Sequence, residues 1–324
     1  MPQFLDLPRE LRDMIYWSFI TSELPRPTLG EAHWLFRFRR VFEPESSQSG
    51  EYGCAYSLEE KPSTCANLLC CNRQIYAEMR QMIRLARRKA MMPVKLDCIA
   101  EDESFHYFTW LAIPLVRTRE EIEIGKSRIL PAWADRILER YFSCTHRMLS
   151  SGCLACKRST TLIEQLWVDV RIFGDRAGKW FRNSNPPDRI SWAVCAALKH
   201  VLERGPNFSR LKDLRSVVMV EELVLNVVTP PNVPKEKYLA EDVPIDELRD
   251  GLVHPKTVAK ELLDVWNTIW RADEFKGKLY RVLIERIGKV RICIDGDTYR
   301  VRELQSELKR GQAERLRIAA RVGW

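Results

Sequence analysis

Three thiols and an imidazole fall between positions 144 and 156, at Cys144, His146, Cys153 and Cys156. Zinc takes such ligands four at a time in a tetrahedron, and C-x-x-C, as in Cys153–Cys156, is a common half-site. The other half, Cys144-x-His146, leaves one residue between ligands where zinc sites use about two to four. Cys144 also continues an apolar helical stripe through Trp133, Ile137, Tyr141 and Met148, which turns His146 to another face. The four residues stand as a candidate metal set, and a packed Cys144 beside a free Cys153/Cys156 pair is the favoured reading.

Other chemistry is sparse. Gly125-Lys126-Ser127 resembles the end of a phosphate loop, but Glu120 stands where its first glycine belongs and Glu121 and Glu123 would repel phosphate. There is no G-x-S-x-G, H-E-x-x-H or G-x-G-x-x-G. The histidines, His33, His106, His146, His200 and His254, are scattered, and His200 reads as a solvated residue near a charged helix end. Carboxylates are plentiful and no pair stands out from surface acids. No catalytic residue and no cofactor is expected, although a site assembled only in three dimensions leaves no local trace.

Two basic groups, Arg84-Arg87-Arg88-Lys89 and a C-terminal helix over about 301–321, raise a nucleic-acid reading. Glu303, Glu307 and Glu314 interrupt the second, and neither interleaves aromatic rings that could stack on bases. Solvated helix faces are the favoured reading, and a basic nucleic-acid-associated protein is kept as an alternative.

The chain has 324 residues, 45% hydrophobic and 30% charged, with a net charge of +8. That composition belongs to a folded protein with room for about two domains. No apolar run approaches the ~20 residues that cross a bilayer, and Asp6, Arg9 and Glu10 break the start as a secretory signal. An intracellular location, cytoplasm or nucleus, is expected, with the ten cysteines reduced.

Pro8 suits a first helical turn, and Leu7, Leu11, Ile15 and Phe19 repeat at one-turn spacing behind it. Glu43 to Pro62 reads as a loop, and a second helix over about 66–88 buries Leu68, Leu69, Ile75, Met79, Met82, Ile83 and Ala86. Cys70 and Cys71 read as core and near-core thiols of that helix. Beyond Pro93, Val94–Ile99, Leu166–Phe173, Leu223–Val228 and Val290–Asp295 read as strands. Helices lie between them, one capped by Ser191 and ended by Gly205-Pro206, another carrying Val258, Leu262, Trp266 and Ile269. The strands are too far apart for a leucine-rich repeat of about 20–29 residues. The fold class expected is α+β or irregular α/β: a helical part over 1–92 with a long loop at about 43–64, then a mixed sheet-and-helix recognition domain over 93–324.

Two segments carry a family resemblance. Leu7-Pro8-Arg9-Glu10-Leu11-Arg12-Asp13-Met14-Ile15-Tyr16 resembles the opening of fungal F-box-like proteins, where L-P-x-E-[LI]-R-x-x-[IV]-[YW] recurs. Leu68-Leu69-Cys70-Cys71-Asn72-Arg73-Gln74-Ile75-Tyr76-Ala77-Glu78 is similar to a segment that follows in the same proteins. The resemblance implies a helical unit that binds the Skp-type linker of a cullin–RING ubiquitin ligase, with a second domain holding a client protein. Carried over by position, Leu7, Pro8, Leu11 and Ile15 would face the linker. Residues 17–67 separate the two matches, an insertion longer than a compact F-box unit carries. The other reading is therefore an F-box-like unit that packs its stripe on its own chain and serves as an interaction domain.

Overall fold

The apolar runs read as strands do form strands, and they lie side by side in one sheet. The computed structural model of the chain describes residues 4–33, 38–40, 54–57, 66–101, 105–114, 117–118, 159–174, 190–205, 216–231, 233–238, 251–271, 279–308 and 310. Its helices are α1 (Arg9–Ile20), α2 (Leu29–Ala32), α3 (Ala66–Leu69), α4 (Arg73–Arg88), α5 (Ile190–Arg204), α6 (Pro255–Arg271) and α7 (Arg281–Arg286). Its strands are β1 (Phe38–Arg40), β2 (Cys54–Ser57), β3 (Val94–Glu101), β4 (Phe105–Ala112), β5 (Arg117–Thr118), β6 (Ser159–Phe173), β7 (Ser216–Val228), β8 (Ile287–Ile294) and β9 (Asp297–Arg302). The order is β1-β2-β4-β3-β6-β7-β8-β9, with β5 on β6.

The centre of the sheet, β3-β6-β7-β8, is parallel, and β4 and β9 flank it antiparallel. Parallel neighbours need a crossover, and α5 supplies one between β6 and β7, α6 with α7 the next. All three helices share a core with one face of the sheet, built on Leu96, Val168, Leu225 and Ile292 from the strands and Leu198, Leu262 and Trp266 from the helices. This is an α+β protein with a mixed sheet, and it is not a solenoid.

An in-register irregularity crosses three of these strands. Ile163 and Leu166, Val220 and Leu223, and Ile287 and Val290 all enter that core, although three positions apart in strands whose side chains alternate. Pairing holds through it, Ile163↔Val220↔Ile287 before and Leu166↔Leu223↔Val290 after. At Gly288 a Cβ would meet the Glu221 carbonyl oxygen at 2.7 Å, and backbone cannot swing aside. Gly288→Ala is expected to destabilise the protein by about 1–3 kcal/mol, the usual range for an added carbon without room. A denaturation midpoint equal to that of the native chain would contradict the reading.

Several expectations need correction. Cys54–Ser57, inside the expected loop, is β2 and pairs parallel with β4, so the segment before position 92 contributes strands to the sheet of the later segment. The single helix over 66–88 is two, because Asn72 leaves the helical backbone and its side chain accepts from the Gln74 amide as an N-cap. Cys70 and Cys71 sit at that break and are exposed, not core thiols. Ser191 does not cap α5: its hydroxyl lies within the helix and donates to Glu261 at 2.8 Å. His200 is buried and stacks on Tyr56 at 5.1 Å. Val301 and Arg302, expected to begin the C-terminal helix, end β9 instead, and helix starts at 304.

Candidate functional site: an outward apolar helix face

Helix α1 is amphipathic in an unexpected sense. Its inward side carries Arg12, Tyr16 and Ile20, all buried. The side turned to water carries Leu11 at 45% exposure, Met14 at 68% and Phe19 at 52%. Pro8 is exposed, and Leu7 and Ile15 are half-buried along the margin. The four residues Leu7, Pro8, Leu11 and Ile15 therefore lie outside the helical pair's own core, which consists of Tyr16, Ile20, Met79, Ile83 and Ala86 with partly buried neighbours such as Phe4 and Trp17.

A polar cluster between α1 and α4 fixes this orientation. Arg12 donates to both oxygens of Glu78, through Nε at 3.0 Å and Nη2 at 2.7 Å. Tyr16 Oη donates to Glu78 at 2.9 Å, and Gln74 Nε2 donates to its other oxygen at 3.0 Å. Arg12 Nη1 also donates to the Leu5 carbonyl at 3.1 Å and to that of Leu7, so the turn entering α1 hangs on the same guanidinium. Arg12, Tyr16, Gln74 and Glu78 are four of the residues on which the two motif segments were matched. The motifs meet in space.

These bonds hold the Glu78 carboxyl down at about 2, chiefly through Arg12, against an ordinary 4.5. Burial, with help from Glu78, pushes the Tyr16 phenol up to about 12 from 10.0. A depressed carboxylate stabilises the fold above its unfolded value and loses that contribution as pH falls through the folded one. A raised phenol stabilises it below the unfolded value and fails as pH rises through the folded one. Hydrogen exchange of α1 amides is therefore expected to accelerate as pH falls from 4.5 towards 2, beyond the intrinsic pH dependence of exchange. Glu78→Gln should remove that acid transition, and a transition unchanged in the variant would contradict the assignment.

Behind α1, residues 21–28 strap the helical pair to the second face of the sheet. The Leu24 amide donates to the Leu111 carbonyl at 2.8 Å, and Lys95 pairs with Glu23. Arg26 donates to Asp169 at 2.6 Å, and Arg171 donates to the Pro27 carbonyl at 2.7 Å. The strap lies on a polar row in register across the sheet, Thr109↔Asp97↔Asp169↔Asn226↔Cys293. Asp97 is 0% exposed and receives both arms of Arg171, at 2.7 and 2.6 Å. Asp169 accepts from Trp167 Nε1 and Asn226 Nδ2, each at 2.7 Å. Burial raises the Asp97 carboxyl and Arg171 pulls it back.

This buried pair of aspartates corrects the reading that no carboxylates stand apart from surface acids. The signal was a polar residue at the same level of successive strands, and only the register joins Asp97 to Asp169. Each carboxylate has donors on both oxygens, so the row serves as a clamp.

The set Cys144, His146, Cys153 and Cys156 lies outside the described residues, as do Gly125-Lys126-Ser127 and positions 311–324 of the expected C-terminal helix. Among the described residues no group of His, Cys, Asp and Glu side chains converges as a metal would need. No described helix is long and apolar enough to cross a membrane. Comparison with family models, with curated proteins and with solved structures finds no match to this chain.

Proposed function

We propose that the chain is a protein-binding adaptor that offers the outward face of α1 to the Skp-type linker of a cullin–RING ubiquitin ligase. Leu7, Pro8, Leu11 and Ile15, extended by Met14 and Phe19, would enter an apolar groove as a helix does, with anchors a turn apart. The sheet-bearing remainder would hold a client protein, and neither step asks this chain to catalyse anything.

One observation carries the reading: with Arg12, Tyr16 and Ile20 turned to the core and held there through Glu78 of α4, α1 still leaves Leu11, Met14 and Phe19 together in water. A surface helix that serves only its own fold turns polar residues, not three large apolar ones, to water. Clustered exposed apolar side chains of this kind mark partner surfaces. The choice of partner follows from the two motif segments, whose shared residues build the cluster that holds the face outward.

The test is calorimetric titration of the full chain with a purified Skp-type linker at two salt concentrations. Binding with a negative heat-capacity change, altered little by salt, is expected for apolar docking. A phosphate-led nucleic-acid contact would instead lose affinity by about 10³–10⁵ between 50 and 200 mM salt. Folded native chain that gives no heat with the linker, and no salt-insensitive complex, would contradict the proposal.

A further inference from the structure

Strand β9 ends the sheet, and its outer side pairs with no other described strand. It returns from β8 through Asp295 and Gly296, both at positive φ, the two-residue type I′ turn of a tight hairpin. Such a turn bonds Ile294 to Asp297. Bonding then alternates along the pair, so the backbone groups of Thr298, opposite Cys293, point away from β8. Tyr299 is an extra residue, because Ile292 pairs with Arg300. Beyond it Arg300 and Arg302 turn their backbone groups inward, and Val301 turns its own outward. No backbone hydrogen bond reaches that outer side among the described residues. Tyr299 at 45% exposure and Val301 at 41% keep large side chains in water along the same strand. An open edge of this kind is a template for another strand.

We propose that β9 pairs antiparallel with β9 of a second copy of this chain, joining two sheets edge to edge across a two-fold axis. The extra residue sets the outward positions, Thr298 and Val301, three apart. Within β9, only one antiparallel register of two copies places each of them opposite an outward position, Thr298 against Val301 and Val301 against Thr298. That register also sets Asp297 opposite the second copy's Arg302. Both lie on the helix-covered face, because their β8 partners Ile294 and Val290 pack in its core. Asp297 is exposed and has no ion pair among the described residues. Arg302 is held in place by Glu307 and Asn267, with donors left on both Nη atoms. Between the bonded pairs, the Tyr299 ring meets the second copy's Arg300, a contact that rings and guanidinium groups favour. A slip of one position instead puts Arg300 opposite Arg300, where like charges repel. The strand is thus complementary to itself in bonding phase, face and charge. This edge shares no residue with α1, and the inference holds or fails without the linker.

Sedimentation velocity of the full chain alone, over about 1–300 µM, reads the association, and a concentration-dependent dimer is expected. Val301→Pro removes an outward amide and leaves every bond to β8, as proline at a sheet edge can. It should weaken the dimer by at least ~10-fold with an unchanged thermal transition. Asp297→Arg sets like charges opposite Arg302, and Arg302→Asp sets them opposite Asp297, so each should dimerise at least ~10-fold more weakly. An equimolar mixture of the two charge variants should recover the dimer that neither forms alone. Arg302 also serves its own fold through Glu307, so the proline variant decides if Arg302→Asp does not fold. A chain that stays monomeric throughout, or a dimer that Val301→Pro leaves intact, would overturn the proposal. A monomer that captures a peptide of alternating valine and glutamate, and loses it in Val301→Pro, would give the edge to a foreign strand and overturn it as well.

Discussion

Leu11→Asp combined with Ile15→Asp is expected to leave the fold intact and to weaken capture of a Skp-type linker by at least ~30-fold, the scale of losing a central apolar anchor. The two halves of that expectation have different origins. Leu11 is nearly half exposed and Ile15 lies at the margin, so a charge at either meets water, and stability should change by no more than about 1 kcal/mol. In a partner's groove the same charges would be stripped of water without a counter-ion, and that penalty falls entirely on the complex. Tyr16→Ala is the converse control. It removes a ring that is 1% exposed and should cost about 3–5 kcal/mol. If the double aspartate variant unfolds while Tyr16→Ala does not, the helix faces have been assigned the wrong way round.

Arg171→Ala has the largest expected effect on the sheet. It strands Asp97, which has no exposure to water, and removes the donor that holds the Pro27 carbonyl of the strap. Breaking one side of a buried ion pair costs about 3–5 kcal/mol, whereas replacing both partners with apolar residues of similar volume is often close to neutral. Asp97→Leu with Arg171→Met should accordingly be the more stable of the two variants. A pH signature accompanies the single variant. Burial raises the Asp97 carboxyl, and without Arg171 nothing as strong opposes it. A raised carboxyl contributes stability below its unfolded value and loses it as pH rises. The deficit of Arg171→Ala should therefore be smaller near pH 4 than at pH 7, read from urea midpoints. A deficit independent of pH would show that Asp97 stays charged or finds another donor.

What the sequence made legible follows burial. Strands β3, β6, β7 and β8 and helices α5 and α6 could be read because each pairs a buried face or run with a clear period. Strand β4 could not: His106 and Thr109 are buried among Phe108, Trp110 and Leu111, so alternation disappears when both faces are covered. Strand β9 escaped for the opposite reason. It is an edge strand exposed along nearly all of its length, and its polar residues joined the helical pattern that follows. The row Leu7, Leu11, Ile15 and Phe19 was visible from its spacing, but its direction was not. An apolar stripe ordinarily faces inward, and here Arg12 and Tyr16 take the core because Glu78, far along the chain, satisfies them. The strap and the polar row were hidden in the same way, since each contact joins residues whose proximity comes from strand order.

Methionine methyl NMR tests directly whether α1 presents its apolar side to a partner. Met14 lies on the outward face at 68% exposure, while Met79 lies in the core between α1 and α4 at 0%. With a saturating Skp-type linker, the Met14 methyl signal is expected to shift or broaden and to lose its sensitivity to a soluble paramagnetic probe. The Met79 signal should stay in place and remain insensitive throughout. A Met14 signal that keeps its position and its full exposure to the probe at saturating linker would contradict the account.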